Sequence, residues 1–130
     1  MRYVNPPGLP KLPGVASHGV VLESAGLVYT SGQVAWDSEG NLVEGDLEAQ
    51  FRRAYANIDT VLEAAGSSRG KVVSETVYLA GYSPDRAEEL IRTLTAARPA
   101  GVLPPASTAV GVETLFAAGF LVEIQVVAAL

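Results

Sequence analysis

Apolar residues recur every three or four positions in two stretches of the chain, and each stretch predicts an amphipathic helix. The first covers residues 47–65, with Asp46 placed to cap its start and Gly66 to end it. The second begins after Ser83-Pro84, where serine is a natural N-cap before proline at the first helical position, and it ends before Arg98-Pro99. Each helix has one apolar stripe and therefore needs a sheet to cover it.

Segments rich in β-branched residues or alternating in polarity lie between and around the helices and predict strands. These segments are residues 20–23, 27–34, 72–80, 106–112 and 121–130. The run Ser24-Ala25-Gly26 between the first two predicts a hairpin turn. The resulting order, β-β-α-β-α-β-β, predicts an α+β fold with one mixed sheet. Because a crossover between parallel strands is right-handed, both helices are expected on one face of that sheet.

Alternation in the last strand predicts what the two faces of the sheet look like. One side of this strand is wholly apolar and belongs under the helices: Val122, Ile124, Val126, Ala128 and Leu130. The other side is mixed: Leu121, Glu123, Gln125, Val127 and Ala129. The same alternation on the 106–112 strand leads us to expect the small residues Ser107, Ala109 and Gly111 on the helix-free face. Self-association through that face is the simplest way to cover it.

Length and composition agree with one self-associating domain. The chain has 130 residues, so a single domain over 1–130 is expected, with a proline-rich extended lead-in over residues 1–14. Hydrophobic residues make up 48% of the chain and charged residues 18%, which is apolar for a small monomer. Residues 100–130 contain no Lys or Arg. A homo-oligomer would bury this surplus.

Several functional classes are disfavoured by what the chain lacks. It has no cysteine and one histidine, His18, so thiol chemistry and Cys-based or His-cluster metal sites are not expected, and we predict no metal and no cofactor. A net charge of −5 has the wrong sign for nucleic acid. No signal peptide or membrane span is visible, which predicts a soluble cytoplasmic protein with no membrane partner.

Polar residues interrupt the predicted strands at three places, which are the candidate chemical positions. They are the Thr-Ser-Gly-Gln run at 30–33, the Pro-Ala-Ser-Thr run at 105–108 and Glu123. Each also has a structural explanation: a β-bulge or close backbone approach for the first, ordinary strand polarity for the second, and a paired interface carboxylate for Glu123. His18 is either a packed side chain or part of a site. The pattern alone leaves these alternatives open.

Five segments together resemble the Rid family (YjgF/YER057c/UK114). They are residues 26–33, 61–66, 73–79, 105–108 and 122–128, and the resemblance runs from about residue 14 to the C-terminus. It implies a chorismate-mutase-like fold, a homotrimer whose sheets line a central barrel, and three ligand clefts between subunits. This agrees with the open, helix-free sheet face expected above.

The resemblance also implies an activity and a set of cleft residues. The best-understood branch hydrolyses reactive enamines and imines to 2-keto acids and ammonia, with an arginine that clamps the substrate carboxylate. Matched residue by residue, the cleft of that branch falls on His18 for a tyrosine, on Ser31 and Gly32 for a serine and a glycine, and on Glu123 for a glutamate that acts through water. The arginine and cysteine positions fall on Ser107 and Ala109, with Thr108 between them.

Serine in the arginine position indicates an arginine-lacking branch. A serine hydroxyl offers one neutral hydrogen bond where a guanidinium offers a charged bidentate clamp. We therefore expect slow or absent turnover of 2-imino acids, with Arg2, Arg52 and Arg53 supplying no replacement cation. The expected function is an enzyme that hydrolyses or deaminates an imine, enamine or related carbonyl compound, with Glu123 catalytic and Ser107 and the other matched residues binding the small molecule. A non-catalytic trimeric metabolite-binding module is the alternative, and an endoribonuclease fits the charge less well.

Overall fold

The computed structural model describes all residues from 1 to 130, which form six strands and two α-helices. The strands are β1 (Arg2–Val4), β2 (Gly19–Leu22), β3 (Leu27–Thr30), β4 (Val72–Ala80), β5 (Ala106–Val112) and β6 (Val122–Ala129), and the helices are α1 (Leu47–Ala64) and α2 (Ala87–Ala97). The strands build one sheet in the order β1-β2-β3-β6-β4-β5. β4 and β5 run parallel and the other neighbouring pairs antiparallel, so the sheet is mixed, as predicted.

The sheet has one strand more than the sequence pattern predicts. Residues 2–4, expected to belong to the lead-in, form β1 and pair antiparallel with β2, with Arg2 opposite Val21. Val4 is buried against the core. Residues 5–18 contain no helix or strand, in keeping with the prolines there.

Both helices pack on one face of the sheet, and their starts differ. α1 begins as predicted, with Asp46 Oδ1 accepting a hydrogen bond from the Ala49 N–H at 2.9 Å. α2 begins later than predicted, because Pro84–Arg86 form a turn of 3₁₀ helix. The Ser83 hydroxyl donates to the Asp85 carboxylate instead of capping the helix.

The core lies between the helices and the sheet and confirms the alternation predicted for β6. Four alternate residues of β6 are buried in one cluster with Phe51, Ile58 and Leu62 of α1: Val122, Ile124, Val126 and Ala128. Full burial of a large apolar side chain such as Phe51 stabilises the fold by about 1.5 to 3 kcal/mol. The remaining residues of β6 therefore point to the helix-free face.

The expectation for the face of β5 is wrong. β5 pairs with β4 and not with β6, and its register places Ser107 opposite Glu75 and Ala109 opposite Val77. Glu75 and Val77 are buried under the helices, so Ser107 and Ala109 share the helix-side face. Thr108 points to the helix-free face. Since β5 is an edge strand that no helix covers, these residues are exposed on both sides.

Candidate functional site

A β-bulge interrupts the pairing of β3 with β6. Tyr29 lies opposite Val127 and Gln33 opposite Ile124, so four steps along one segment face three along the other. The predicted strand over 27–34 therefore stops at Thr30. Thr30 Oγ1 accepts a hydrogen bond from the Val126 N–H at 3.1 Å and takes the place of a ladder carbonyl. The bulge turns residues 31 and 32 out of the sheet.

Glycine at position 32 makes room for the carboxylate of Glu123. A Cβ built on Gly32 would lie 2.7 Å from Cδ of Glu123, which is closer than real Cβ atoms approach, and 3.1 Å from its Oε1. The N–H of Gly32 has no acceptor within the chain. Glu123 therefore packs closely against a glycine that has a free backbone donor, as the close-approach interpretation of this glycine predicted.

The carboxylate of Glu123 is half-buried and has no cationic or hydrogen-bonding partner in the chain. Burial raises its pKa above the ordinary glutamate value, and no other group offsets that effect. A carboxylate with a raised pKa, open to solvent on one side, is suited to exchange a proton with a bound water.

Ser31, the residue before Gly32, is held in place by two hydrogen bonds. Its N–H donates to the carbonyl of His18 at 2.8 Å, and its hydroxyl donates to the carbonyl of Ser17 at 2.6 Å. The serine proton is thus used within the chain, and the hydroxyl oxygen keeps lone pairs for a ligand.

The structure places His18 in the packed interior. The side chain is 1% exposed, its Nε2 lies 2.7 Å from the Pro10 carbonyl, and its Nδ1 lies 3.0 Å from the Gln33 side-chain nitrogen. These partners place the ring proton on Nε2, so Nδ1 accepts from Gln33. Gln33 also accepts from Trp36 Nε1 at 3.1 Å. The ring therefore anchors the proline-rich arm to the bulge and has no free nitrogen to offer a ligand.

The other candidate residues lie at a second location. β5 and β6 are two strands apart and Ser107 lies three residues along from the level of Glu123, which separates the two by about 10 Å in each direction. The two side chains also point to opposite faces of the sheet. Four recesses on the surface of the single chain are lined by other residues, and Ser31, Ser107 and Glu123 line none of these four. Only a second copy could bring both locations to one ligand.

A buried polar cluster that the sequence analysis missed lies behind Ser107. The Glu75 side chain is fully buried, accepts from the Tyr55 hydroxyl at 2.5 Å and forms an ion pair with Arg98. Arg69 stacks over the Tyr55 ring at 4.4 Å and forms an ion pair with Asp59 at 2.6 Å. A carboxylate on the buried face of the predicted 72–80 strand is the signal that could have revealed this cluster.

Glu75 is ionised in this cluster. Burial alone raises its pKa, but the hydrogen bonds from Arg98 and Tyr55 outweigh burial and, with a smaller contribution from the nearby Ser107 hydroxyl, hold the pKa below the ordinary value. Burial, together with the adjacent Glu75 charge, raises the pKa of the Tyr55 hydroxyl. The phenol therefore stays a hydrogen-bond donor to Glu75 at neutral pH.

The three arginines considered from the sequence are bonded elsewhere. Arg2 pairs with Glu23 at 3.1 Å, Arg52 pairs with Glu48 at 3.2 Å, and Arg53 donates to the Trp36 carbonyl at 3.2 Å. No group of three or more side chains is arranged to hold a metal ion, and no helix is long and apolar enough to cross a bilayer.

Gly32→Ala should displace the Glu123 carboxylate. The added methyl would force Cδ to move by about 1 Å to reach an ordinary carbon–carbon distance. Because Cδ is near the end of a flexible side chain, we expect the fold to persist and the pKa of Glu123, followed by NMR titration, to fall toward its ordinary value. Gly8→Ala is the matched control, since its nearest neighbour is 4.0 Å away. An unchanged Glu123 titration in Gly32→Ala would contradict the packing described here.

Comparison with known families accounts for nearly the whole chain. The family described as Endoribonuclease L-PSP matches residues 13–130. The mitochondrial protein mmf1 of Schizosaccharomyces pombe is 31% identical over 98% of this chain and 77% of its own length. A 2-iminobutanoate/2-iminopropanoate deaminase of Salmonella typhimurium is 38% identical over 41% of each chain. With several other curated relatives the alignment spans about half of their length, 52% in two cases.

Solved structures agree with the sequence comparison. The Rid family protein YyfA of Yersinia pestis superposes with a TM-score of 0.84 and 31% identity, covering 99% of this chain and 98% of that protein. The fold is therefore that of the Rid proteins, as the resemblance implied.

Proposed function

Since this chain belongs to the Endoribonuclease L-PSP family, also called the Rid or YjgF family, we propose that it hydrolyses a small reactive imine, enamine or related carbonyl compound. The observation that carries the proposal is the Glu123 carboxylate, which is half-buried, has no partner and packs against Gly32, a residue whose own N–H is free. Such a pair can hold and activate a water molecule beside an electrophilic carbon.

The roles of the other residues follow from their bonds. Ser31 presents acceptor lone pairs next to Glu123, while His18 positions the bulge from inside. Ser107, Thr108 and Ala109 lie on exposed β5 and would complete the cleft from a neighbouring copy. Hydrolysis adds the water oxygen to the imine carbon. The carbon–nitrogen bond then breaks, both protons of the water end on the nitrogen, and ammonia and a carbonyl product are released.

The proposed assembly is a homotrimer with the helix-free faces lining a central barrel. Its support is the exposed edge strand β5 and the separation of Glu123 from Ser107 within one chain. Sedimentation equilibrium should give about three times the chain mass of 13.5 kDa. A mass equal to that of the monomer at micromolar concentration would contradict both the trimer and the cleft shared between subunits.

The proposed activity is tested by a screen of imines and enamines generated in solution, with ammonia release measured against the spontaneous rate. We expect at least one small substrate to be hydrolysed faster than background by the wild type and not by Glu123→Gln. If no member of a set that varies in size and charge is turned over by the trimer, the enzymatic proposal is wrong.

A non-catalytic metabolite-binding module is the second candidate. The observation that favours it is Ser107 and Ala109 at the positions where the resemblance implies an arginine and a cysteine. Saturable binding of small molecules without turnover would support it. An endoribonuclease is disfavoured by the net charge of −5 and the single, buried histidine. A cytoplasmic location stays a prediction, since one relative is named as mitochondrial.

A further inference from the structure

The carboxylate of Glu75 fills a donor set of the kind that proteins use to bind a carboxylate ligand. Tyr55 and Arg98 donate to its two oxygens, and Ser107 lies directly opposite Glu75 on the same face of the sheet. The Glu75 side chain is 0% exposed, whereas Ser107, its neighbour on the edge strand, is exposed. The cluster therefore reaches the protein surface at Ser107.

This arrangement determines what Ser107 can offer to a ligand. A serine hydroxyl has one proton and two acceptor lone pairs. The ionised Glu75 beside it attracts that proton, and it also balances the charge of Arg98. Seen from the surface, Ser107 thus presents acceptor lone pairs with no uncompensated cation behind them.

We propose that Glu75 determines specificity by keeping carboxylates out of the cleft, so that the ligand is a neutral or cationic small molecule that brings its own N–H or O–H donor to Ser107. The inference rests on the proposed function in one respect, that Ser107 lines the ligand cleft. An iminium, an imine N–H or an amide fits this requirement, whereas an acceptor-only anion does not.

The opposite wall of the proposed cleft, which contains Glu123, also disfavours carboxylate ligands. Glu123 is an acceptor when ionised and has no partner to offset its charge. Arg2, Arg52 and Arg53 are bonded elsewhere and supply no cation. A carboxylate ligand would therefore find the free N–H of Gly32 as a donor, but it would lie beside the Glu123 charge with no cation on either side.

An isosteric pair of probes tests the proposal by binding alone. Propanamide carries N–H donors, and propanoate is an acceptor-only anion of the same shape. In NMR titrations of the full-length protein we expect propanamide, and not propanoate, to shift the backbone amides of residues 107 and 108. In Glu75→Gln the charge of Arg98 is no longer balanced by a carboxylate, and the affinity for propanoate should rise by about tenfold to a hundredfold. Glu48→Gln, which removes the carboxylate of a surface ion pair, should leave the selectivity unchanged.

Ser107→Ala keeps the proposal testable if Glu75→Gln does not fold, because Ser107 is exposed. It should lose the propanamide response and gain none with propanoate. The proposal is overturned if propanoate binds the wild type as tightly as propanamide, if neither probe binds near residue 107, or if Ser107→Ala binds propanamide unchanged. None of these readouts requires turnover, so a failed ammonia assay and a failed selectivity test remain distinguishable.

Discussion

We expect Glu75→Ala to lower the free energy of unfolding by about 3 to 5 kcal/mol, because it leaves the Arg98 guanidinium largely buried without its counter-charge. The Arg98 side chain is only 16% exposed, so water cannot replace the lost carboxylate fully. Tyr55 also loses the acceptor of its hydroxyl. The effect is large because one substitution leaves two buried donors unsatisfied.

Chemical denaturation at fixed protein concentration measures this loss. Glu48→Ala is the matched control, since its ion pair with Arg52 is exposed and contributes at most about 0.5 kcal/mol. The Glu75 pKa is lowered in the folded state, so its stabilisation is full above the unfolded pKa of about 4.3 and is lost as the pH falls through the folded value. The free energies of unfolding of the wild type and of Glu75→Ala should therefore converge in acid. A loss as small as that of Glu48→Ala at pH 7 would show that Arg98 is solvated without Glu75.

Periodicity predicted the parts of the fold that depend on one segment at a time. The buried residues of α1 and the alternation of β6 follow from local spacing, because one face of each element must leave water. Asp46 was identifiable as a cap from its place before an apolar run. The short strand β1 was not, because three residues beside a proline-rich stretch carry too little pattern.

The face of β5 could not be predicted in the same way. Alternation divides Ser107 and Thr108 between two faces but does not say which face lies under the helices. That depends on the strand beside it, and β5 pairs with β4 through the register of Ser107 with Glu75. The more apolar side of this edge strand, which carries Val110 and Val112, faces away from the helices, so polarity gives the wrong answer.

The two locations of the candidate site also differ in how well the sequence predicted them. The Ser-Gly bulge and Glu123 were visible as polar interruptions of apolar strands, and the structure brings them together within one chain. Arg98 was not visible, because its ion pair with Glu75 joins residues 23 positions apart on separate elements. Arg2, Arg52 and Arg53 were only examples of cations that could enter the cleft, and none of them is the arginine that stands behind Ser107, which is Arg98.

Glu123→Gln separates the chemistry of the candidate site from its stability. If the carboxylate activates a water, its loss should lower kcat by about a hundredfold to ten-thousandfold on any imine that the wild type hydrolyses. The amide is nearly isosteric, so the gap left by Gly32 stays filled and the fold is retained. Binding of the substrate should change much less than turnover.

The stability of Glu123→Gln should rise, although its activity falls. Burial raises the Glu123 pKa in the folded state, so the wild type is most stable when this group is protonated and loses that stability as the pH rises through the folded pKa. Glu123→Gln carries no such charge, and at pH 7 its midpoint of thermal unfolding should exceed that of the wild type by up to about 4 °C per kcal/mol recovered. The difference should vanish below pH of about 4, where both side chains are neutral. A variant that loses stability together with activity would instead assign Glu123 a structural role, with its carboxylate satisfied by a partner subunit rather than held for a water.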